Sequence, residues 1–194
     1  MFTGIIEALG NVVEVTKDRT NATFCLESPI SAELKIDQSL SHNGVCLTII
    51  KVDKNLHWVT AVEETLIKSN LGLLKIGAEV NLERSMIANG RFDGHVVQGH
   101  VDQTAICSSV QDRNGSWLFS FEYDPAPGNV TVEKGSISVN GVSLTCFKSE
   151  VGSFSVAIIP YTYNHTNFHQ IKPGTRVNLE FDIIGKYVKR LLDK

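Results

Sequence analysis

The chain has 194 residues, 42% hydrophobic and 20% charged, with a formal net charge of −3. This is the balance of a soluble globular protein of one or two domains, without the basic excess that would hold nucleic acid or an acidic membrane surface. Met1–Glu7 has no cationic or long apolar stretch and no apolar run approaches the ~20 residues of a membrane span, so a cytoplasmic protein is expected.

Read in chain order, most segments predict strands. Residues 11–17 are followed by Ala22, Phe24 and Leu26, which alternate along one face, then by 44–51, 56–63 and 79–84. A short helix is expected at 64–70, and the polar segment 85–92 reads as a joint. Further strands are expected at 101–110, 117–123, 137–148, 153–160 and 176–183, with a second short helix at 161–167. In 117–123, Trp117, Phe119, Phe121 and Tyr123 alternate with Leu118, Ser120 and Glu122, the period of a half-buried strand. Turn signals such as Asp53-Lys-Asn55, Asn114-Gly115 and Asp124–Asn129 separate these runs. Short strands at such spacing imply a small closed barrel or sandwich.

The same text is written twice. Ser41-His-Asn-Gly-Val-Cys-Leu-Thr48 returns as Ser138-Val-Asn-Gly-Val-Ser-Leu-Thr145, and Val80-Asn-Leu-Glu83 returns as Val177-Asn-Leu-Glu180, both displaced by 97 positions (138 − 41 and 177 − 80). A constant displacement over separated motifs means that a whole folding unit was duplicated. A period of that size suits a domain that folds alone rather than a solenoid repeat. The expected division is 1–90, 91–183 and a terminal helix over 184–194. In that helix Ile184, Tyr187, Val188, Leu191 and Leu192 form one stripe opposite Lys186, Lys189, Arg190 and Asp193. The stripe either folds back on its own barrel or joins subunits.

Candidate chemistry lies where the repeats differ. Cys46 stands against Ser143, His42 against Val139 and Ser85 against Asp182, while near Gly4 and Gly99 the displacement is 95 and Ile5 stands against His100. Each difference puts a nucleophile or titratable group on one side only. Cys25, Cys46, Cys107 and Cys146 lack paired spacing and read as free thiols. His95 and His100 are expected on opposite faces of one strand, which argues against joint metal ligation, and His165 with His169 has no third ligand. His57 reads as a surface or half-buried strand residue without a task.

Met1-Phe-Thr-Gly-Ile-Ile-Glu7, Ser41–Thr48, Glu64-Thr-Leu66, Ser69-Asn-Leu-Gly72, Val80–Arg84, Gly94–Asp102 and Asn140–Thr145 together resemble riboflavin synthases of the alpha-chain type, in order and over the whole chain. The resemblance implies an all-β fold, a tandem pair of six-stranded Greek-key barrels with short helices and a C-terminal helix. It also implies a homotrimer, no metal or cofactor, and dismutation of 6,7-dimethyl-8-ribityllumazine to riboflavin and 5-amino-6-ribitylamino-uracil. Association with lumazine synthase is left open.

Carried onto this sequence, the first pocket would use Gly4, Ile5 and Ile6 with Cys46, Leu47 and Thr48, covered by Thr60, Ala61, Val62, Glu63, Glu64 and Thr65. The second would use Gly99, His100 and Val101 with Ser143, Leu144 and Thr145. Ala157, Ile158, Ile159, Pro160, Tyr161, Thr162 and Lys134 would lie near it. Cys46, His100 and Ser143 are the implied catalytic groups. Tyr161 replaces a glutamate, and Asn140 an aspartate, that many relatives carry. The alternative is a non-catalytic paralogue like the lumazine proteins. A flavin barrel of the ferredoxin-reductase kind lacks its nucleotide-binding partner domain here.

Overall fold

A computed structural model of the chain describes residues 1–192; of the residues singled out above, only Asp193 lies outside them. Twelve strands form two closed six-stranded barrels. The first contains β1 (Ala8–Asp18), β2 (Asn21–Glu27), β3 (Ser39–His42), β4 (Val45–Asp53), β5 (Leu56–Ala61) and β6 (Glu79–Arg84), in the order β1-β2-β5-β4-β3-β6. The second contains β7 (Gln103–Asp112), β8 (Trp117–Tyr123), β9 (Ser136–Val139), β10 (Val142–Glu150), β11 (Ser153–Ile158) and β12 (Arg176–Phe181), in the equivalent cyclic order. Neighbouring strands are antiparallel throughout, and each barrel carries one short helix, α1 (Glu63–Lys68) or α2 (Pro160–His165).

Local chemistry explains the hairpins. The tight turns Asn43-Gly44, at the start of the run expected at 44–51, and Asn140-Gly141, within the run expected at 137–148, have φ values of 49° and 80°, and 47° and 82°, which suit two-residue connections between twisted strands. The second run is therefore two strands, β9 and β10, not one. Bulges in β1, β4, β7 and β10 bend the sheets toward closure.

Each barrel buries its own apolar centre. Phe24, Leu40, Ile49, Val59 and Leu82 fill the first, while Phe119, Phe121, Ile137, Phe154 and Phe168 fill the second. His57 is no surface residue, having no exposed area, and its Nε2 meets His42 Nε2 at 3.1 Å while Nδ1 meets Ser31 Oγ at 2.7 Å. The second barrel fills the matching positions with Val139 and Phe154.

Six buried asparagines join the barrels about an internal pseudo-two-fold axis. Asn81 Nδ2 donates to Asn140 O at 2.9 Å and Asn178 Nδ2 donates to Asn43 O at 2.8 Å, each the counterpart of the other. Asn167 N–H donates to Asn81 Oδ1 at 2.8 Å, and Asn70 N–H to Asn178 Oδ1 at 2.6 Å. At the same boundary Phe2 and Val97 form an antiparallel bridge.

The terminal helix α3 (Ile183–Leu192) does not fold its apolar stripe onto the barrel: Tyr187 is 68% and Leu191 65% exposed. Its opposite side is tied down by Lys186, whose ammonium lies 2.6 Å from Asp102, and by Lys189 bonding the Gly128 carbonyl.

Candidate active site

The two copied turns deliver Cys46 and Ser143 to matching places. In β4 the period of two sends Leu47 into the core and turns Cys46 and Thr48 outward, and in β10 Ser143 and Thr145 face outward in the same way while Leu144 packs on the second core. Cys46 is half-buried, whereas Cys25, Cys107 and Cys146 are buried, and all four are free thiols. Burial pushes the Cys107 thiol up to about 11 and the Cys146 thiol up to about 12, which leaves them protonated and inert.

The segments that meet these residues are exchanged between barrels. Cys46 N–H donates to Gly99 O at 2.8 Å, and Ser143 N–H donates to Gly4 O at 2.8 Å. Ile6 packs against the core of the second barrel and Val101 against that of the first. The grouping that the resemblance implied is thereby corrected: Gly4 meets Ser143 and Ile6 packs on the second barrel, while Gly99, His100 and Val101 stand with Cys46, and Ile5 lines a cleft with Thr3, Glu7 and Arg84. The stretch 95–100 is also not a strand, being paired only at Val97 and turned by Gly99 at φ +83°.

A cavity of about 270 Å³ opens beside Cys46, lined by Val45, Glu64, Thr65, Lys68, Ser69, Gly99, His100 and Val101. Glu64 and Lys68 pair at 2.8 Å across one turn of α1, so the cavity wall carries both a carboxylate and an ammonium. Other expected members lie elsewhere. Thr60 Oγ1 bonds Thr23 Oγ1 at 2.9 Å, Ala61 faces the barrel core, and Val62 and Glu63 are exposed at the start of α1.

The Ser143 side is built alike but furnished differently. Its hydroxyl meets His95 Nδ1 at 2.6 Å, a contact across 48 residues that no spacing in the sequence announces. Burial lowers the His95 pKa, with Asp182 opposing, which favours the neutral ring, whose unprotonated nitrogen can accept a proton. In place of the Glu64–Lys68 pair, Tyr161 stacks on His165 with ring centroids 4.0 Å apart. Ala157 and Ile159 are exposed, Ile158 is in the core, Pro160 opens α2, and Thr162 O accepts from Thr166 Oγ1 at 2.7 Å. Lys134 lies at the approach to β9, its N–H bonded to Cys146 O at 2.9 Å and its ammonium over Phe147. Among the described residues, no group of three His, Cys, Asp or Glu side chains is disposed to hold a metal ion.

Two like barrels with unlike outward-facing residues define a protein of two duplicated domains, and the family model described as the lumazine binding domain matches each of them, over residues 3–85 and 98–182. The similarity extends beyond the domain. The chain is 38% identical over 195 residues to riboflavin synthase of Actinobacillus pleuropneumoniae, and 39% identical over 195 residues to that of Bacillus subtilis, covering 100% of this chain and 91% of each relative. Against riboflavin synthase of Mycobacterium bovis it is 40% identical over 204 residues, covering 99% and 98%. The chain belongs to the riboflavin synthase family. In fold it also matches LumP complexed with 6,7-dimethyl-8-(1'-D-ribityl) lumazine, with a TM-score of 0.84 at 17% identity over 93% of this chain and 98% of that one. LumP complexed with riboflavin gives a TM-score of 0.86 at 17% identity over 93% and 99%.

Proposed function

We propose that the chain makes riboflavin by dismutation. Two molecules of 6,7-dimethyl-8-ribityllumazine would exchange a four-carbon unit, one becoming riboflavin and the other 5-amino-6-ribitylamino-uracil, so that atoms and electrons balance without an outside oxidant or reductant. The observation that carries this reading is the pair of matching positions, Cys46 and Ser143, given different neighbours. Donor and acceptor are one compound, and only the protein can assign them different roles.

In this reading Thr48, Thr145 and nearby backbone amides hold the pteridine edges, an arrangement that needs little reorganisation as charge develops. The acidic C7 methyl of one molecule loses its proton, and the carbanion attacks the other. Ser143 and His100 assist the proton transfers, and His95 is the base within reach of Ser143. Cys46 acts either as a nucleophile or as the polar wall of the acceptor site. Holding the two rings in contact supplies much of the acceleration.

The same reading divides the chain into 1–90, 91–183 and an oligomerisation helix at 184–194. It makes the protein a cytoplasmic transferase acting as a homotrimer, a state for which the exposed stripe on α3 is suited, and it leaves room for association with lumazine synthase. Incubating the purified chain with the lumazine alone tests it: riboflavin absorbance and fluorescence should rise together with the uracil product. Binding without product would favour a lumazine-holding protein instead.

A further inference from the structure

We propose that Glu180 and Glu83 are positioning residues that act across the barrel boundary, each holding the segment that meets Cys46 or Ser143 of the barrel to which it does not belong. Glu180 lies in β12 of the second barrel and is 2% exposed. Its carboxylate accepts the N–H groups of Gln98 at 2.6 Å, Gly99 at 2.9 Å and His100 at 2.9 Å. The carbonyl of that same Gly99 takes the N–H of Cys46 in the first barrel. Glu83 in β6 repeats the arrangement, accepting from Thr3 N–H at 2.6 Å, Thr3 Oγ1 at 2.8 Å and Gly4 N–H at 3.0 Å, while Gly4 O takes the N–H of Ser143.

The chemistry explains why a carboxylate is needed. Gly4 and Gly99 have φ values of +79° and +83°, a turn that aims successive N–H groups at one point and makes a small anion-binding concavity. A carboxylate answers them with acceptors alone, whereas an amide would aim an NH₂ group at N–H donors. Glu180 therefore fixes where His100 stands beside the Cys46 cavity and how closely Gly99 lies against the backbone and Cβ of Cys46. Glu83 does the same for Gly4 against Ser143. The assignment rests on the substrate-site reading of these pockets for its kinetic consequence only, since the geometry around the Cys46 thiol can be read without turnover.

The test uses the full-length chain and iodoacetamide, which reports on Cys46 because the other three thiols are buried. E180Q should raise the rate of Cys46 alkylation about tenfold, and E83Q should leave it within about twofold, since only the first loosens the Gly99 segment that lies against Cys46 and lines its cavity. E180D, which keeps the charge but draws it back, should give an intermediate rate. It also serves if E180Q fails to fold, a state in which all four thiols would react together. Equal acceleration by E83Q and E180Q, or unchanged Cys46 reactivity in folded E180Q and E180D, overturns the proposal. In turnover, both glutamine variants should lose kcat more than KM rises. A chain that makes no riboflavin would refute the substrate-site reading while the labelling result still decides the positioning role.

Discussion

Cys46 and Gly99 belong to different barrels, yet the N–H of one meets the carbonyl of the other at 2.8 Å, and a Cβ added to Gly99 would lie 2.5 Å from Cys46 Cβ. Gly4 makes the same approach to Ser143, at 2.6 Å. Cys46 and Ser143 are thus each met by a segment arriving from the other repeat, and the contact leaves no space for a side chain.

Gly99→Ala should consequently cost about 2–4 kcal/mol, from left-handed strain plus the clash with Cys46. Chemical denaturation measures this. Gly77→Ala, a control with open space and a φ of +87°, should show only the strain, a cost of about 1 kcal/mol. Equal costs at the two positions would contradict the close approach.

The asparagine network predicts a cooperative boundary. Asn81→Ala removes partners of the Asn140 carbonyl and the Asn167 N–H together, so it should destabilise by about 2–4 kcal/mol. Asn178→Ala, its counterpart, should cost as much, and the double variant less than the sum because both act on one network. Differential scanning calorimetry of the three variants checks this; additive losses would mean that the two halves of the network are independent.

The buried histidine pair makes stability pH-dependent. Desolvation lowers His42 to about 3, with the neighbouring His57 as a further cause, and desolvation lowers His57 to about 4. Their folded-state pKa values lie below the ordinary 6.5, so the stability they permit is complete above pH 6.5 and is lost as pH falls toward 4. The expected loss is on the order of 2 kcal/mol per histidine between pH 6.5 and 5. The variant H42V/H57F/S31A borrows Val139 and Phe154 from the second barrel and removes the Ser31 hydroxyl along with its partner. Its denaturation midpoint should change little over that pH range, and an unaltered acid loss would place the responsible groups elsewhere.

Ser143→Ala and His100→Ala should lower turnover on the order of a hundredfold while changing lumazine affinity only a few-fold. Because Ser143 Oγ and His95 Nδ1 touch, His95→Gln should lose a similar amount and S143A/H95Q little more than either single variant. Steady-state kinetics and fluorescence titration separate the two effects. Losses confined to affinity would contradict the catalytic assignments.

Much of this was legible in the amino acids, for identifiable reasons. Alternation in 117–123 and the paired Asn-Gly turns specify strands and hairpins locally, and the constant displacement of Val-Asn-Leu-Glu specifies two copies of one barrel. The exchange of Gly4 and Gly99 was not legible, because residues copied in step look as though they belong to their own copy. Spatial proximity between Gly4 and Ser143 depends on how the barrels dock. A signal was nonetheless present: Asn43, Asn70 and Asn81 recur at Asn140, Asn167 and Asn178, more amides than turns require, and buried amides bind barrel to barrel here. His57 was misread because its polar partners, Ser31 and His42, are 26 and 15 residues distant.

The most direct measurement is product stoichiometry from the lumazine alone. Purified protein given only 6,7-dimethyl-8-ribityllumazine should release riboflavin and 5-amino-6-ribitylamino-uracil in equal amounts, consuming two lumazines for each riboflavin, as resolved by chromatography with absorbance detection. Tight binding with no riboflavin, or riboflavin formed without its uracil partner, would contradict the assignment of unlike roles to the two pockets.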